Sequence, residues 1–212
     1  MLTQSIHQGQ PVLTYGAPLA DAHAAVILIH GRGATAHSMH DLASALPTEG
    51  IAYLIPQAAG NTWYPHSGFK PFEVNEPYFS SAMAIISELL AHINAAGIPT
   101  DKIVIGGFSQ GASLTSEFTV RHAQRYGAIL LFSSALMGPP ESPREYAGSF
   151  AGTPVFIGGV TQDPWVRESQ LRETAEVFTR LGGQVTLDIA AGAEHGIRPT
   201  EIEQAAALIR RV

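Results

Sequence analysis

The chain has 212 residues, a net charge of −6 and no cysteine. Its length suits one domain with a large core, and its acidity argues against a nucleic-acid partner, which favours a basic face. The missing thiols exclude disulfides, thiolate metal sites and a cysteine nucleophile. The opening MLTQSIHQGQ has neither the basic start nor the apolar stretch of a signal peptide. No apolar run approaches the length of a bilayer span, so a cytoplasmic protein without stable membrane insertion is expected. No linker, repeat or low-complexity tract interrupts the chain, and a single domain over 1–212 is the expectation.

In chain order, Val12 to Tyr15 reads as an edge strand and Asp21 to His23 as a turn. Ala24 to Ile29 is a continuous apolar run, as expected of a strand covered on both faces of a parallel sheet. It ends in His30-Gly31-Arg32-Gly33. Met39, Leu42, Ala43 and Leu46 follow at helical spacing, with Thr35 or Ser38 available as a cap. His37 and His40 lie three apart on that helix, but the nine histidines show no metal-ligand spacing, and a polar helix face is the plainer reading. Ile51 to Ile55 is the next buried strand.

Gln57 to Phe79 has no clear period and contains Trp63, Tyr64, Phe69, Phe72, Tyr78 and Phe79. Long irregular loops in compact domains tend to be functional. This one either lines a substrate pocket, with Trp63 and Tyr64 as contacts, or tucks its aromatics onto the core. Ser80 to Ala96 is an amphipathic helix stopped by Gly97 and Pro99. Lys102 to Ile105 is a strand broken by Gly106-Gly107, and a helix follows from Gly111 to Ala123. Ala128 to Phe132 is a strand and Met137 to Phe150 a Pro-rich surface loop. Val155 to Ile157 is a strand ending in Gly158-Gly159. A helix from Arg167 to Leu181, a strand from Gln184 to Ile189 and a helix from Pro199 to Arg211 close the chain. This alternation predicts an α/β fold with a mainly parallel, doubly wound sheet and helices on both faces.

In such sheets ligands bind beyond the carboxyl ends of the strands. Gly107-Phe108-Ser109-Gln110-Gly111 fits the G-x-S-x-G pattern between a strand and a helix, a turn that pushes the serine out above the sheet. A serine hydroxyl needs a base within hydrogen-bond reach. His195 alone follows the final strand, whereas His30 runs straight into a Gly-x-Gly turn and reads as structural. The base needs a carboxylate, and Asp163 follows a strand in the turn Asp163-Pro164-Trp165. Asp188 lies inside a strand, Asp101 precedes one, and Glu194 adjoins the histidine but points away. The order Ser109, Asp163, His195 is that of α/β-hydrolases. Oxyanion donors are expected from the N–H of Gln110 and of Arg32, with Gly33 as the second choice in that loop. Trp165 joins Trp63 and Tyr64 as a candidate substrate contact. The Arg32 side chain is left to bind a substrate carboxylate, to pair with Glu73 or Glu76, or to reach solvent.

LIHGRGAT, GGFSQGA, TQDPWV and AEHGI, at their spacing, resemble the phospholipase/carboxylesterase family of small α/β-hydrolases, which includes acyl-protein thioesterases. The resemblance covers most of the chain. It implies an α/β-hydrolase fold and a lid-poor esterase with no metal or organic cofactor, acting on small-molecule carboxylic esters or thioesters. It also implies Ser109, Asp163 and His195 as the triad and Arg32 and Gln110 as oxyanion donors. Ala34 stands where thioesterase-type members commonly carry an acid, Arg32 where an apolar residue is common, and the Trp63-Tyr64-Pro65 loop also departs from them. A carboxylesterase for short-chain or aromatic esters is therefore expected ahead of a thioesterase, a lysophospholipase or a non-catalytic receptor. A homodimer is left open.

Overall fold

A computed structural model describes residues 5–140 and 142–212. The start of the expected leaderless N-terminus (1–4) and position 141 of the Pro-rich loop lie outside the described residues. Seven strands form one sheet: β1 (Val12–Gly16), β2 (Ala24–Ile29), β3 (Ile51–Pro56), β4 (Ile103–Phe108), β5 (Ala128–Phe132), β6 (Pro154–Val160) and β7 (Gln184–Ala190). Their order is β1-β3-β2-β4-β5-β6-β7, with β1 antiparallel to β3 and every other pair parallel. Helices are α1 (Ala36–Ser44), α2 (Tyr78–Ala95), α3 (Gln110–Arg121), α4 (Glu168–Arg180) and α5 (Pro199–Ile209).

The apolar run of β2 divides by the two-residue period of a strand. Ala25, Ile27 and Ile29 face a core shared with α2, α3 and α4, while Ala24, Val26 and Leu28 face a second core under α1 and α5. Each such Val, Leu or Ile contributes about 1.5–3 kcal/mol on burial. A sheet covered on both faces leaves its strand ends as the place for chemistry. The chain moves from β2 to β3 on one side and then crosses to β4 on the other. The loops after β2 and β4 therefore meet where the winding changes direction, the usual ligand crevice of such folds.

Several boundaries differ from the sequence reading. β4 and β6 run on through Gly106-Gly107 and Gly158-Gly159 instead of ending there. At β4 this is close packing: a Cβ on Gly106 would lie 3.0 Å from that of Leu130 on the neighbouring strand. The α1 cap is also supplied differently. Thr35 occupies the N-cap without a side-chain bond, and Gln57 Oε1 accepts from Ala36 N–H at 2.8 Å. The Pro-rich loop is no mere surface loop, since Met137 and Phe150 are fully buried. The 57–79 stretch contains 3-10 turns at Ala59–Asn61 and Phe72–Asn75, and its last two residues already belong to α2.

Candidate active site

Ser109 is the whole turn between β4 and α3, with φ 52° and ψ −119°. A non-glycine residue held there costs about 1–3 kcal/mol, and the surroundings must enforce it. They do: its N–H donates to Phe132 O at 2.9 Å, and its carbonyl accepts from Ser113 N–H at 3.0 Å. The flanking glycines are steric necessities. A Cβ on Gly107 would sit 2.5 Å from the Gly111 carbonyl carbon, and one on Gly111 would sit 2.1 Å from Ile29 O. The helix can therefore press against the ends of β2 and β4 only without those side chains, and the serine is lifted clear of the sheet.

His195 Nε2 lies 2.8 Å from Ser109 Oγ, and its Nδ1 lies 2.7 Å from Asp163 Oδ2. The other oxygen, Oδ1, accepts from Trp165 N–H at 2.8 Å and Val166 N–H at 3.0 Å. The aspartate is thus fixed by its own turn and almost fully buried, with 1% of its side chain exposed. A carboxylate only accepts, so Nδ1 carries the proton and Nε2 presents its lone pair to the serine. Ser133 Oγ donates to Gly196 O at 2.7 Å and holds the histidine loop against the end of β5. Phe108 packs its ring against the imidazole at 5.1 Å.

Arg32 and Gln110 line the same cavity as the serine. Gly31 lets the first loop approach, since a Cβ there would already be 3.3 Å from Ser109 Cβ. Gly33 N–H is committed to Asn61 O at 2.7 Å, which removes the second choice of donor in that loop. Among the described residues no protein acceptor takes the N–H of Arg32 or of Gln110. Two unclaimed donors flanking a serine can receive a developing oxyanion.

Ser109, His195, Gly31, Arg32 and Gln110 line a cavity of about 540 Å³. Tyr64 and Trp165 are on its wall, and burial pushes the Tyr64 phenol above its ordinary pKa, so it stays neutral. Trp63 is not on the wall. It is 1% exposed, and its indole N–H donates to His30 O at 2.9 Å beneath the site. The expectation of a substrate contact at Trp63 is corrected accordingly: the loop lines the pocket with Tyr64 and Phe69 and plugs the core with Trp63. Arg32 does not pair with Glu73 or Glu76. It donates through Nη1 to Pro65 O at 2.7 Å and through Nη2 to His66 O at 2.5 Å. The sequence reading missed Ser113 and Ser134, whose hydroxyls bond each other on the cavity wall. Ser113 was findable, one helical turn beyond Ser109; Ser134 carried no local signal. His30 is structural as expected, buried with Nδ1 donating to Gly31 O and Nε2 accepting from Ala58 N–H.

A mainly parallel seven-stranded sheet with a strand-serine-helix elbow at its centre defines an α/β-hydrolase, and solved structures of such proteins match this one. The chain belongs to the Phospholipase/Carboxylesterase family, whose model matches residues 16–212. A crystal structure of a phospholipase/carboxylesterase from Dyadobacter fermentans is 37% identical, with a TM-score of 0.91, covering 95% of this chain and 97% of that one. A Bacillus cereus carboxylesterase shares the fold at 17% identity and a TM-score of 0.76, covering 100% of this chain and 99% of the other. Acyl-protein thioesterase 1 of Candida albicans is 26% identical, covering 91% of this chain and 94% of its own. That of Eremothecium gossypii is 33% identical across 62% of this chain and 57% of its own. The protein is a serine hydrolase acting on ester bonds.

Proposed function

We propose that the protein is a carboxylesterase working through an acyl-enzyme on Ser109, with short-chain or aromatic esters preferred. The observation that carries this is the unbroken relay from Ser109 Oγ through His195 to Asp163, at 2.8 and 2.7 Å, whose serine and histidine line the cavity. His195 Nε2 takes the hydroxyl proton as Oγ attacks the ester carbonyl, and Asp163 stabilises the imidazolium. The carbonyl electrons move onto oxygen, which accepts from the Arg32 and Gln110 N–H groups. When that tetrahedral species collapses, the C–O bond to the alcohol breaks and Nε2–H protonates the leaving oxygen. Water then loses its proton to His195, attacks the acyl carbon and frees Ser109 and the acid.

The preference rests on cavity size and lining. About 540 Å³ lies within the range of small-molecule sites, and Tyr64, Phe69 and Trp165 offer aromatic faces while the Ser113 and Ser134 hydroxyls interrupt the apolar wall. A second reading, an acyl thioesterase on the same relay, is favoured by the curated relatives named acyl-protein thioesterase. Rates over p-nitrophenyl esters from acetate to palmitate, beside matched thioesters, separate the two. We expect a maximum at short or aromatic acyl groups, and a Ser109→Ala variant that folds normally but is slower by at least about 10⁴-fold. Faster turnover of long-chain thioesters transfers the assignment to the second reading. Activity surviving in Ser109→Ala overturns both, and a folded wild type that turns over nothing points to a receptor.

A further inference from the structure

We propose that the segment Asn61 to His66 is a brace for the oxyanion hole, and that the side chains of Arg32 and Gln110 act through it as positioning residues. The inference rests on the mechanism above and names what keeps its two N–H donors at a fixed separation. His30, Arg32, Gly33 and Gln110 are all bonded to this one segment. On the β2 side, His30 O accepts from the Trp63 indole at 2.9 Å and Gly33 N–H donates to Asn61 O at 2.7 Å. The Arg32 guanidinium reaches Pro65 O and His66 O and lies over the Tyr64 ring, 5.8 Å from its centroid. On the elbow side, Gln110 Oε1 accepts from Trp63 N–H at 2.8 Å, while its Nε2 donates to Tyr64 O at 2.8 Å. Thr62 Oγ1 also bonds Tyr64 O at 3.0 Å.

A planar amide matched to one backbone N–H and one backbone C=O allows a single placement of Gln110. The planar guanidinium does the same for Arg32 with two carbonyls. Both are side chains of the very residues whose unclaimed N–H groups are the oxyanion donors of the mechanism above, so a shift in the segment moves both donors. From below, His7 Nδ1 accepts from Ala59 N–H, which leaves Nε2–H to donate to Trp63 O at 3.0 Å. An apolar residue at position 32 would keep the N–H and lose the tie; this chain carries the tie.

The test uses Arg32→Leu and Arg32→Lys in the full chain. If the brace sets donor geometry, Arg32→Leu lowers kcat roughly 10- to 100-fold on p-nitrophenyl acetate and butyrate alike, with KM changed by no more than about twofold. A trifluoromethyl ketone, which forms an oxyanion adduct on the serine, should weaken by the same factor. A non-reacting amide of the same shape should bind as before. Arg32→Lys should fall between, and millimolar guanidinium should restore part of the activity of Arg32→Gly. Wild-type kcat in Arg32→Leu overturns the proposal, as does equal weakening of ketone and amide, which reports a changed pocket shape. If Arg32→Leu fails to fold, Thr62→Val gives the same reading through a milder loss, with the same outcomes. Activity in Ser109→Ala instead sinks the mechanism itself, so the two failures are told apart.

Discussion

At the scale of single residues, Asp163 shows how a turn aims its own carboxylate. One carboxylate oxygen is consumed by the N–H groups two and three residues on, and the other is left aimed at His195 Nδ1. Asp163→Asn keeps the size but presents an N–H or a misplaced oxygen, so the imidazole adopts the wrong tautomer and kcat should fall roughly 10³- to 10⁴-fold. Asp188 is the internal control. It pairs with Arg198 at 2.9 Å inside β7, away from the relay, and Asp188→Asn should leave kcat within about twofold of wild type. Steady-state kinetics on the two variants decide the assignment, because a larger loss at Asp188 would exchange their roles. Arg32 teaches a related lesson. Its partners are backbone carbonyls, which every residue supplies, so no inspection of nearby acids in the sequence could have named Pro65 and His66.

At the scale of elements, the strap between β3 and α2 sits on two buried histidines. Burial lowers the pKa of both His7 and His30 from the ordinary 6.5, and each already uses one ring nitrogen to accept from a backbone N–H. Protonation would set a second N–H against that donor. As pH falls through 6.5 the unfolded chain binds protons that the folded chain refuses, so folding stability is lost on the acid side and is complete above it. The slope is about 1.4 kcal/mol per pH unit for each proton taken up only on unfolding. Urea midpoints between pH 7.5 and 5.5 should therefore fall, and His7→Gln should flatten the slope even if it is less stable at pH 7.5. An unaltered slope in that variant would show that His7 takes up its proton equally in both states. His7 and Trp63 also explain what was not legible from sequence: whether an aromatic loop lines or plugs depends on what lies under it, and His7 comes from a distant terminus.

For the molecule as a whole, the strand runs and their alternation with helices were readable because burial on both faces demands uninterrupted apolar residues. The relay was readable because a parallel sheet places its chemistry at strand ends, which leaves few candidates for each role. The glycine pairs in β4 and β6 misled in both cases for one reason. Glycine marks a break when the chain must turn and a close approach when a neighbour needs the room, and only the neighbour distinguishes them. The candidate site draws on the ends of β2, β4, β6 and β7, so it exists only when most of the sheet is paired.

The two tryptophans occupy opposite extremes, Trp63 at 1% exposure on the buried side of the strap and Trp165 at 73% on the cavity wall. The chain therefore carries its own two-colour optical probe. Trp63, buried between the His7 and His30 rings, should emit at shorter wavelength and out of reach of iodide. Trp165 should emit from water and be quenched by collision. Filling the cavity of Ser109→Ala with an aromatic ester should shield the long-wavelength component from iodide and leave the other untouched. Quenching that ignores the ester would place its binding away from Trp165.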